Sequence, residues 1–397
     1  MDIISELDGK RILIWGYGRE GKATEHFLER CVKPASVDIF EGKREEIHED
    51  AYDFIIKSPG IVMKEENPKY TSETELFLQQ FRDQVIGITG TKGKSTTSAM
   101  LYTVLKACSG RPVLLLGNIG QPCLDYFEEV TEDTIIVYEM SCHQLAHTNV
   151  SPHIAIFLNL YEEHLDYYGT VEKYFEAKSH IAAYQKSGDF FFVGENVPKI
   201  ETKAEKTVLH QPKDVHYKLK LAGEHNQYDA QFVEHVAELL GCEKEAVLKS
   251  MAEFEGLPHR LQYIGTYRGV RYFDDSISTI PEAAINAAMS IPDAKTILIG
   301  GMDRGINYDL LITFIREHRE FQFICAYASG KRIFGEVGDC ENCVYVEDLE
   351  QAVEAAVQMT EPGGACILSP AAASYGYFKN FEERGEAFQK YVYAFAQ

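Results

Sequence analysis

Basic side chains are scarce in this chain: 39 Lys and Arg stand against 61 Asp and Glu, a net charge of −22. That balance excludes a duplex or RNA backbone as the main partner, because neutralising phosphates takes a basic surface. Long apolar runs are missing too, and none approaches the roughly 20 residues that a membrane-crossing helix needs. The acidic start, Met1-Asp2-Ile3-Ile4-Ser5-Glu6-Leu7-Asp8, has no basic n-region, so neither export nor membrane insertion is expected. The nine cysteines are scattered and odd in number, which fits a reduced, cytoplasmic protein. Cys340 and Cys343 form one C-x-x-C, and no second pair with zinc-ligand spacing follows it. Tandem repeats and low-complexity tracts are likewise absent.

What is present is β-α-β alternation. The 397 residues exceed one compact core, and a 45% hydrophobic content can fill more than one. Arg11-Ile12-Leu13-Ile14-Trp15 reads as a strand, residues 22–30 as a helix, and 37–40 and 52–56 as further strands. The turn Lys57-Ser58-Pro59-Gly60 follows. A second series starts at Val85-Ile86-Gly87-Ile88-Thr89, with strands at 135–138 and 154–158 and helices over 227–240 and 244–254. Residues 186–221 are polar and mixed and yield no strand assignment. Gly256-Leu257-Pro258 breaks the pattern, and strands at 270–274, 296–300 and 365–368 follow. The expected fold class is α/β in three domains: Rossmann-like over 1–83, a P-loop ATPase-like parallel sheet over 84–256, and Rossmann-like again over 257–397. Ligands of such sheets collect at the carboxyl ends of the strands.

Two glycine-rich loops sit at such ends. Gly90-Thr91-Lys92-Gly93-Lys94-Ser95-Thr96 lies between an apolar strand and a helix. Glycines let the backbone wrap a phosphate with its N–H groups, and the helix N-terminus adds about half a positive charge. Lys94 would neutralise the β- and γ-phosphates of ATP, while the Ser95 hydroxyl would reach a magnesium ion. Upstream, Gly16-Tyr17-Gly18-Arg19-Glu20-Gly21 matches G-x-G-x-x-G, a weak signal by itself. It would serve NAD, with Asp38 or Glu41 near the distance of a ribose contact, or the diphosphate of a UDP-sugar. With a phosphate loop downstream, one chain holds two nucleotide sites, for ATP and for a nucleotide-linked substrate.

Further segments follow in order: Gly117-Asn118-Ile119-Gly120, Glu139-Met140-Ser141-Cys142-His143-Gln144-Leu145, Asn159 to His164 and Asp166, and Ala177-Lys178. Then come Gly223-Glu224-His225-Asn226, Leu257-Pro258-His259-Arg260, Asp274-Asp275-Ser276, Gly300-Gly301-Met302-Asp303-Arg304 and Leu368-Ser369-Pro370 through Ser374. This series, together with the phosphate loop, resembles the Mur ligase family, whose members join amino acids to UDP-N-acetylmuramic acid. The tail Phe378-Lys379-Asn380-Phe381-Glu382-Glu383-Arg384-Gly385 resembles the D-glutamate-adding branch.

The resemblance implies an ATP- and Mg²⁺-dependent ligase acting, as a monomer, on UDP-N-acetylmuramoyl-L-alanine and glutamate. It implies that Glu139 and His164 ligate magnesium with Ser95, and that Lys178 is carbamylated and bridges toward a second magnesium. Carbamylation requires an unprotonated amine, so burial or nearby cations would have to depress the Lys178 pKa. By the same resemblance Asn226 contacts the adenine, and Arg260 and Asp275 hold the nucleotide. Gly16, Gly18, Gly21, Ser58 and Asn118 are expected to hold the UDP-linked substrate. Thr279, Arg304, Ser374 and Phe378 are expected to receive glutamate.

Two departures stand out. Where the D-glutamate enzymes commonly carry Asp-Ser-Lys-Ala-Thr-Asn, this chain has Asp275-Ser276-Ile277-Ser278-Thr279-Ile280. Arg304 stands where some relatives have lysine. The first variant resembles a branch that adds L-glutamate, so that amino acid is the nearest alternative. Folylpolyglutamate synthetase shares the phosphate loop but would not need the first α/β unit or the Phe378–Gly385 tail. A regulatory P-loop NTPase would hydrolyse ATP without acyl transfer, and an NAD dehydrogenase would leave the second loop and Lys178 idle.

Overall fold

The computed structural model describes residues 2–61, 63, 67–163, 165–212, 216–221 and 223–396. Its first strands are β1 (Arg11–Trp15), β2 (Ser36–Phe40), β3 (Phe54–Lys57) and β4 (Tyr70–Thr71), in a parallel sheet of order β2-β1-β3-β4. The third strand starts two residues later than the sequence suggests. The Asp53 side chain takes the Arg11 N–H at 2.9 Å and the Arg11 guanidinium at 3.1 and 3.2 Å, and its own N–H bonds the Arg11 carbonyl at 2.8 Å, so it sits at the head of the β1–β3 pair. The first loop has the glycine geometry its pattern needs. Gly16 has φ +91°, and a Cβ at Gly21 would strike the Gly16 carbonyl oxygen, so the helix Arg19–Cys31 can pack tightly against the turn.

The second sheet comprises β5 (Val85–Thr89), β6 (Val113–Gly117), β7 (Ile135–Glu139), β8 (Ile154–Phe157), β9 (Phe190–Gly194) and β10 (Glu205–Leu209). Its order is β10-β9-β8-β5-β7-β6, parallel throughout. β5, β7 and β8 are buried along their whole length, as a parallel sheet covered on both faces requires. The chain leaves β5, runs to β6 and β7 on one side and then returns to β8 on the other. β5 therefore stands at the topological switch point, and the phosphate loop leaves from its carboxyl end.

β11 (Gln262–Tyr267), β12 (Val270–Asp274), β13 (Ala294–Ile299), β14 (Gln322–Ala326), β15 (Cys343–Val346) and β16 (Ala365–Leu368) build the third sheet. Its order is β11-β12-β16-β13-β14-β15, with only the β11–β12 hairpin antiparallel. Separate apolar clusters cover its two faces, one around Ile297, Leu311 and Phe323, the other around Tyr272, Ile324 and Phe388.

Contacts divide the chain into two compact units, Met1–Leu219 with Glu224–Phe254, and Lys220–Gly223 with Glu255–Gln397. The first two sheets fall in one unit because they share a core: Ile12, Ile14 and Phe27 belong to the same buried cluster as Tyr138, Phe157 and Phe191. The Thr74 and Tyr138 hydroxyls, 3.0 Å apart, join the two halves inside it. Among the described residues no helix is long and apolar enough to cross a membrane.

Candidate active site

The loop after β5 is held by its neighbours rather than by itself. Asn159, just beyond β8, takes the Lys92 N–H on its side-chain oxygen at 2.9 Å and returns its amide to the Lys92 carbonyl at 3.0 Å. Its own carbonyl accepts the Thr91 N–H at 2.9 Å. The Thr91 hydroxyl receives bonds from the Tyr161 N–H at 2.9 Å and the Tyr174 hydroxyl at 3.3 Å. Gly93 caps the helix Lys94–Cys108 in the left-handed region, φ +84°. A Cβ there would lie 2.9 Å from Asp229 Cγ and closer still to Oδ2. Glycine is required twice over at this position, for its backbone and for its missing side chain.

Two cations converge on the loop. Lys94 Nζ donates to the carbonyls of Gly90 at 2.8 Å and Thr91 at 2.9 Å. Lys178 Nζ, 84 residues along and 1% exposed, reaches the same Gly90 carbonyl at 2.8 Å and the Thr89 hydroxyl at 3.4 Å. Burial first, and then the Lys94 charge, push the Lys178 pKa down to about 7, and burial also lowers that of Lys94. An amine with that pKa has a substantial neutral fraction near pH 7, which is what carbamylation asks for. Lys92, by contrast, turns outward to pair with Glu163 at 2.8 Å. Ser95 and Thr96 stand half-buried in the first turn of the helix.

Glu139 ends β7 next to this loop in the sheet and is fully buried. Its Oε1 accepts the Asn118 amide at 2.6 Å, while Oε2 is buried without a partner. A carboxylate oxygen left bare in the interior costs free energy unless a cation or donor meets it, so the site suits a hard divalent ion. Among the described residues no three His, Cys, Asp or Glu side chains group as a ready metal cage. His164 lies outside the described residues.

The first sheet's loop joins this region through Arg19 and Glu20. Ser58 donates from Oγ to the Gly16 carbonyl at 2.9 Å, which ties together two of the expected substrate positions. The Arg19 guanidinium, beside Gly18, bonds the Gly120 carbonyl at 2.7 Å, and the Gln144 amide bonds Glu20 at 2.9 Å. Between them lies a cavity of about 110 Å³ lined by Arg19, Glu20, Gly117, Asn118, Tyr138 and Gln144, among others. A larger cavity of about 540 Å³, bordered by Glu6, Lys57, Glu75 and His147, holds none of the expected site residues.

The buried Asn226 stands on the helix Glu224–Leu239, one turn before Asp229. Burial raises the Asp229 carboxyl to about 8, so at neutral pH it is mostly protonated under the phosphate loop. Neither Asp229 nor the Asn159 clasp was foreseen as part of the site; Asn159 opens a motif noted in the sequence, but nothing local announces its bonds.

In the second unit, Arg260 is exposed between two left-handed residues, His259 at φ 60° and Leu261 at φ 43°. Buried partners hold that strained turn: His259 Nδ1 lies 2.7 Å from Asp274, and the Leu261 N–H bonds Asp275 at 3.1 Å. Asp275 also accepts bonds from Ser369 at 2.8 Å and from Ser278, and burial raises its pKa to about 6. Thr279, Arg304, Ser374 and Phe378 occupy loops after β12, β13 and β16 of the same sheet. Ser374 is buried, and its carbonyl accepts the Phe378 N–H at 3.0 Å.

The Mur ligase middle domain matches residues 88–238, which spans the phosphate loop, Glu139, Lys178 and Asn226. UDP-N-acetylmuramoylalanine–D-glutamate ligase of Leuconostoc mesenteroides is 30% identical over 97% of this chain and 97% of its own. The enzyme of the same name from Aquifex aeolicus is 30% identical over 96% of this chain and 98% of its own. Among solved structures, UDP-N-acetylmuramate–alanine ligase of Thermotoga maritima has a similar fold, with a TM-score of 0.62 at 18% identity, covering 97% of this chain and 99% of that one. By its similarity over nearly its whole length to those two glutamate ligases, this chain belongs to the Mur ligase family.

Proposed function

We propose that this chain adds D-glutamate to UDP-N-acetylmuramoyl-L-alanine at the expense of ATP, in the cytoplasm and as a monomer, to build a peptidoglycan precursor. The observation that carries the reading is the convergence of Lys94 and Lys178 on one carbonyl, at 2.8 Å each, in the phosphate loop at the switch point. The Lys94 charge beside the loop amides favours a phosphate, and the same charge together with burial holds the Lys178 amine close to neutrality, as carbamylation requires. The relatives' shared name supplies the substrates.

A carboxylate oxygen of the alanyl group attacks the γ-phosphorus, the bond to the β-phosphate oxygen breaks, and ADP leaves. The glutamate amine then attacks the acyl phosphate carbonyl, inorganic phosphate departs, and the amine proton passes to solvent or a nearby base. Phosphoryl transfer of this kind is mostly positioning and charge stabilisation. Lys94 would exchange its two loop carbonyls for phosphate oxygens, and the amides of residues 91–96 would add their N–H dipoles. A magnesium ion held by Ser95, Glu139 and His164 would neutralise charge between ATP and the carboxylate, with carbamylated Lys178 supplying a further negative ligand. Gly16, Gly18, Gly21, Ser58 and Asn118 would hold the UDP-linked substrate, Asn226 would contact the adenine, and Arg260 and Asp275 would hold the nucleotide. Thr279, Arg304, Ser374 and Phe378 would receive glutamate, within domains limited at 83/84 and 256/257.

Phosphate release tests the reading. With ATP, Mg²⁺ and the muramoyl-alanine nucleotide present, release should start only on addition of D-glutamate. Equal or faster release with L-glutamate alone would overturn the assigned handedness. Release that needs neither co-substrate would overturn the ligase itself.

A further inference from the structure

Arg384 lies in the helix Phe381–Ala396, is 1% exposed, and spends its whole guanidinium on loops far from it in sequence. Nε donates to the Ser276 hydroxyl at 3.0 Å and Nη2 to the Ser276 carbonyl at 2.7 Å. Nη1 donates to the Ala372 carbonyl at 3.0 Å. The same nitrogen lies 3.0 Å from where a Cβ of Gly301 would stand, so the guanidinium is pressed against a third loop. That loop is pinned in turn by the Met302 N–H on the Ala373 carbonyl, at 2.8 Å.

These three loops follow β12, β13 and β16 and carry the expected glutamate contacts: Thr279, Arg304, and Ser374 with Phe378. A planar fork with five donors is suited to fixing several carbonyls at once, whereas an ammonium is not. The charge is maintained: burial lowers the Arg384 pKa only to about 10, with Asp274 opposing the shift. We propose that Arg384 is a positioning residue for the amino-acid pocket, setting the mutual register of the loops at 276–279, 301–304 and 372–374 without touching the substrate. This rests on the assignment of the pocket to glutamate given above.

The test uses the full chain and the variants Arg384→Met, Arg384→Lys and Ser276→Ala. Losing charge-assisted bonds of this kind corresponds to about tenfold or more in the parameter they support. Arg384→Met is expected to raise the KM for glutamate by about tenfold or more, leaving the KM values for ATP and the UDP-linked substrate within about twofold. Arg384→Lys should recover part of the loss, and Ser276→Ala should show a smaller rise of the same sign. Hydrogen–deuterium exchange supplies an arm independent of which amino acid is used: the three loops should exchange faster together in Arg384→Met. A variant with an unchanged glutamate KM, or with loosening confined to the C-terminal helix, would overturn the proposal. Should Arg384→Met fail to fold, a wild-type glutamate KM in Ser276→Ala would overturn it as well. Loop exchange that rises as expected in an enzyme indifferent to glutamate would uphold the positioning role and reject the assignment of the pocket.

Discussion

Replacing Gly93 by alanine perturbs the phosphate loop in two separable ways. The residue sits at φ +84°, where an L side chain costs about 1–2 kcal/mol. The added Cβ would also stand 2.9 Å from Asp229 Cγ and nearer to Oδ2, and forcing extra volume into packed interior costs about 1–3 kcal/mol. The two together come to about 2–5 kcal/mol, shared between loss of stability and distortion of the loop. Asp229→Ala removes the obstruction and leaves the backbone penalty. The double variant should therefore recover about 1–3 kcal/mol relative to the sum of the single variants, the coupling expected of residues in contact. Denaturant titration measures the stability share, and calorimetric titration with ATP the binding share, where 1.4 kcal/mol is about tenfold in Kd. Effects of the two substitutions that simply add would refute the assigned contact.

Three further outcomes follow from the site. Asp229 holds a proton in the folded chain up to about pH 8, which the unfolded chain gives up near 3.8, so stability should fall as pH rises through that window. Asp229→Asn should flatten the dependence, measured as Tm from pH 5 to 8, and an unaltered slope would contradict the burial of that carboxyl. Lys178→Ala should lose most activity and regain part of it with a short-chain carboxylic acid that stands in for a carbamate, as read by ADP release; no rescue at any concentration would count against carbamylation. Lys94→Ala should lower kcat/KM for ATP by about a hundredfold or more, the usual cost of removing a preorganised stabiliser of transferring charge, with Tm close to wild type; a change below about threefold would remove Lys94 from phosphate binding.

Much of the architecture is readable where an apolar strand runs straight into glycine. β1 and β5 lie where the pattern puts them, because each is a largely buried apolar run that ends at a glycine turn. β6, β14 and β15 are not distinguished, since a short apolar run next to a helical segment has no period that tells strand from helix. In 186–221 the strand β9 is a buried apolar run hidden among polar neighbours, and its partner β10 is the sheet edge. β10 is mostly exposed, and Glu205 and Lys206 stand where a half-buried strand would show alternation. At the site, residue types are legible and partnerships are not. Glycine, lysine and serine at fixed spacing announce a phosphate loop, but Lys178 meeting Lys94 at one carbonyl depends on the tertiary fold. So does Asp229 filling the space that Gly93 leaves open.

The most direct measurement uses the muramoyl-alanine nucleotide with oxygen-18 in its free carboxylate. If a carboxylate oxygen attacks the γ-phosphorus and the amine later expels phosphate, each turnover must carry one labelled oxygen into inorganic phosphate. Mass spectrometry of the released phosphate should then show one heavy oxygen per peptide bond formed. Unlabelled phosphate alongside normal product would mean that the carboxylate is activated by another route, and the roles given to Lys94, Glu139 and Lys178 would have to be abandoned.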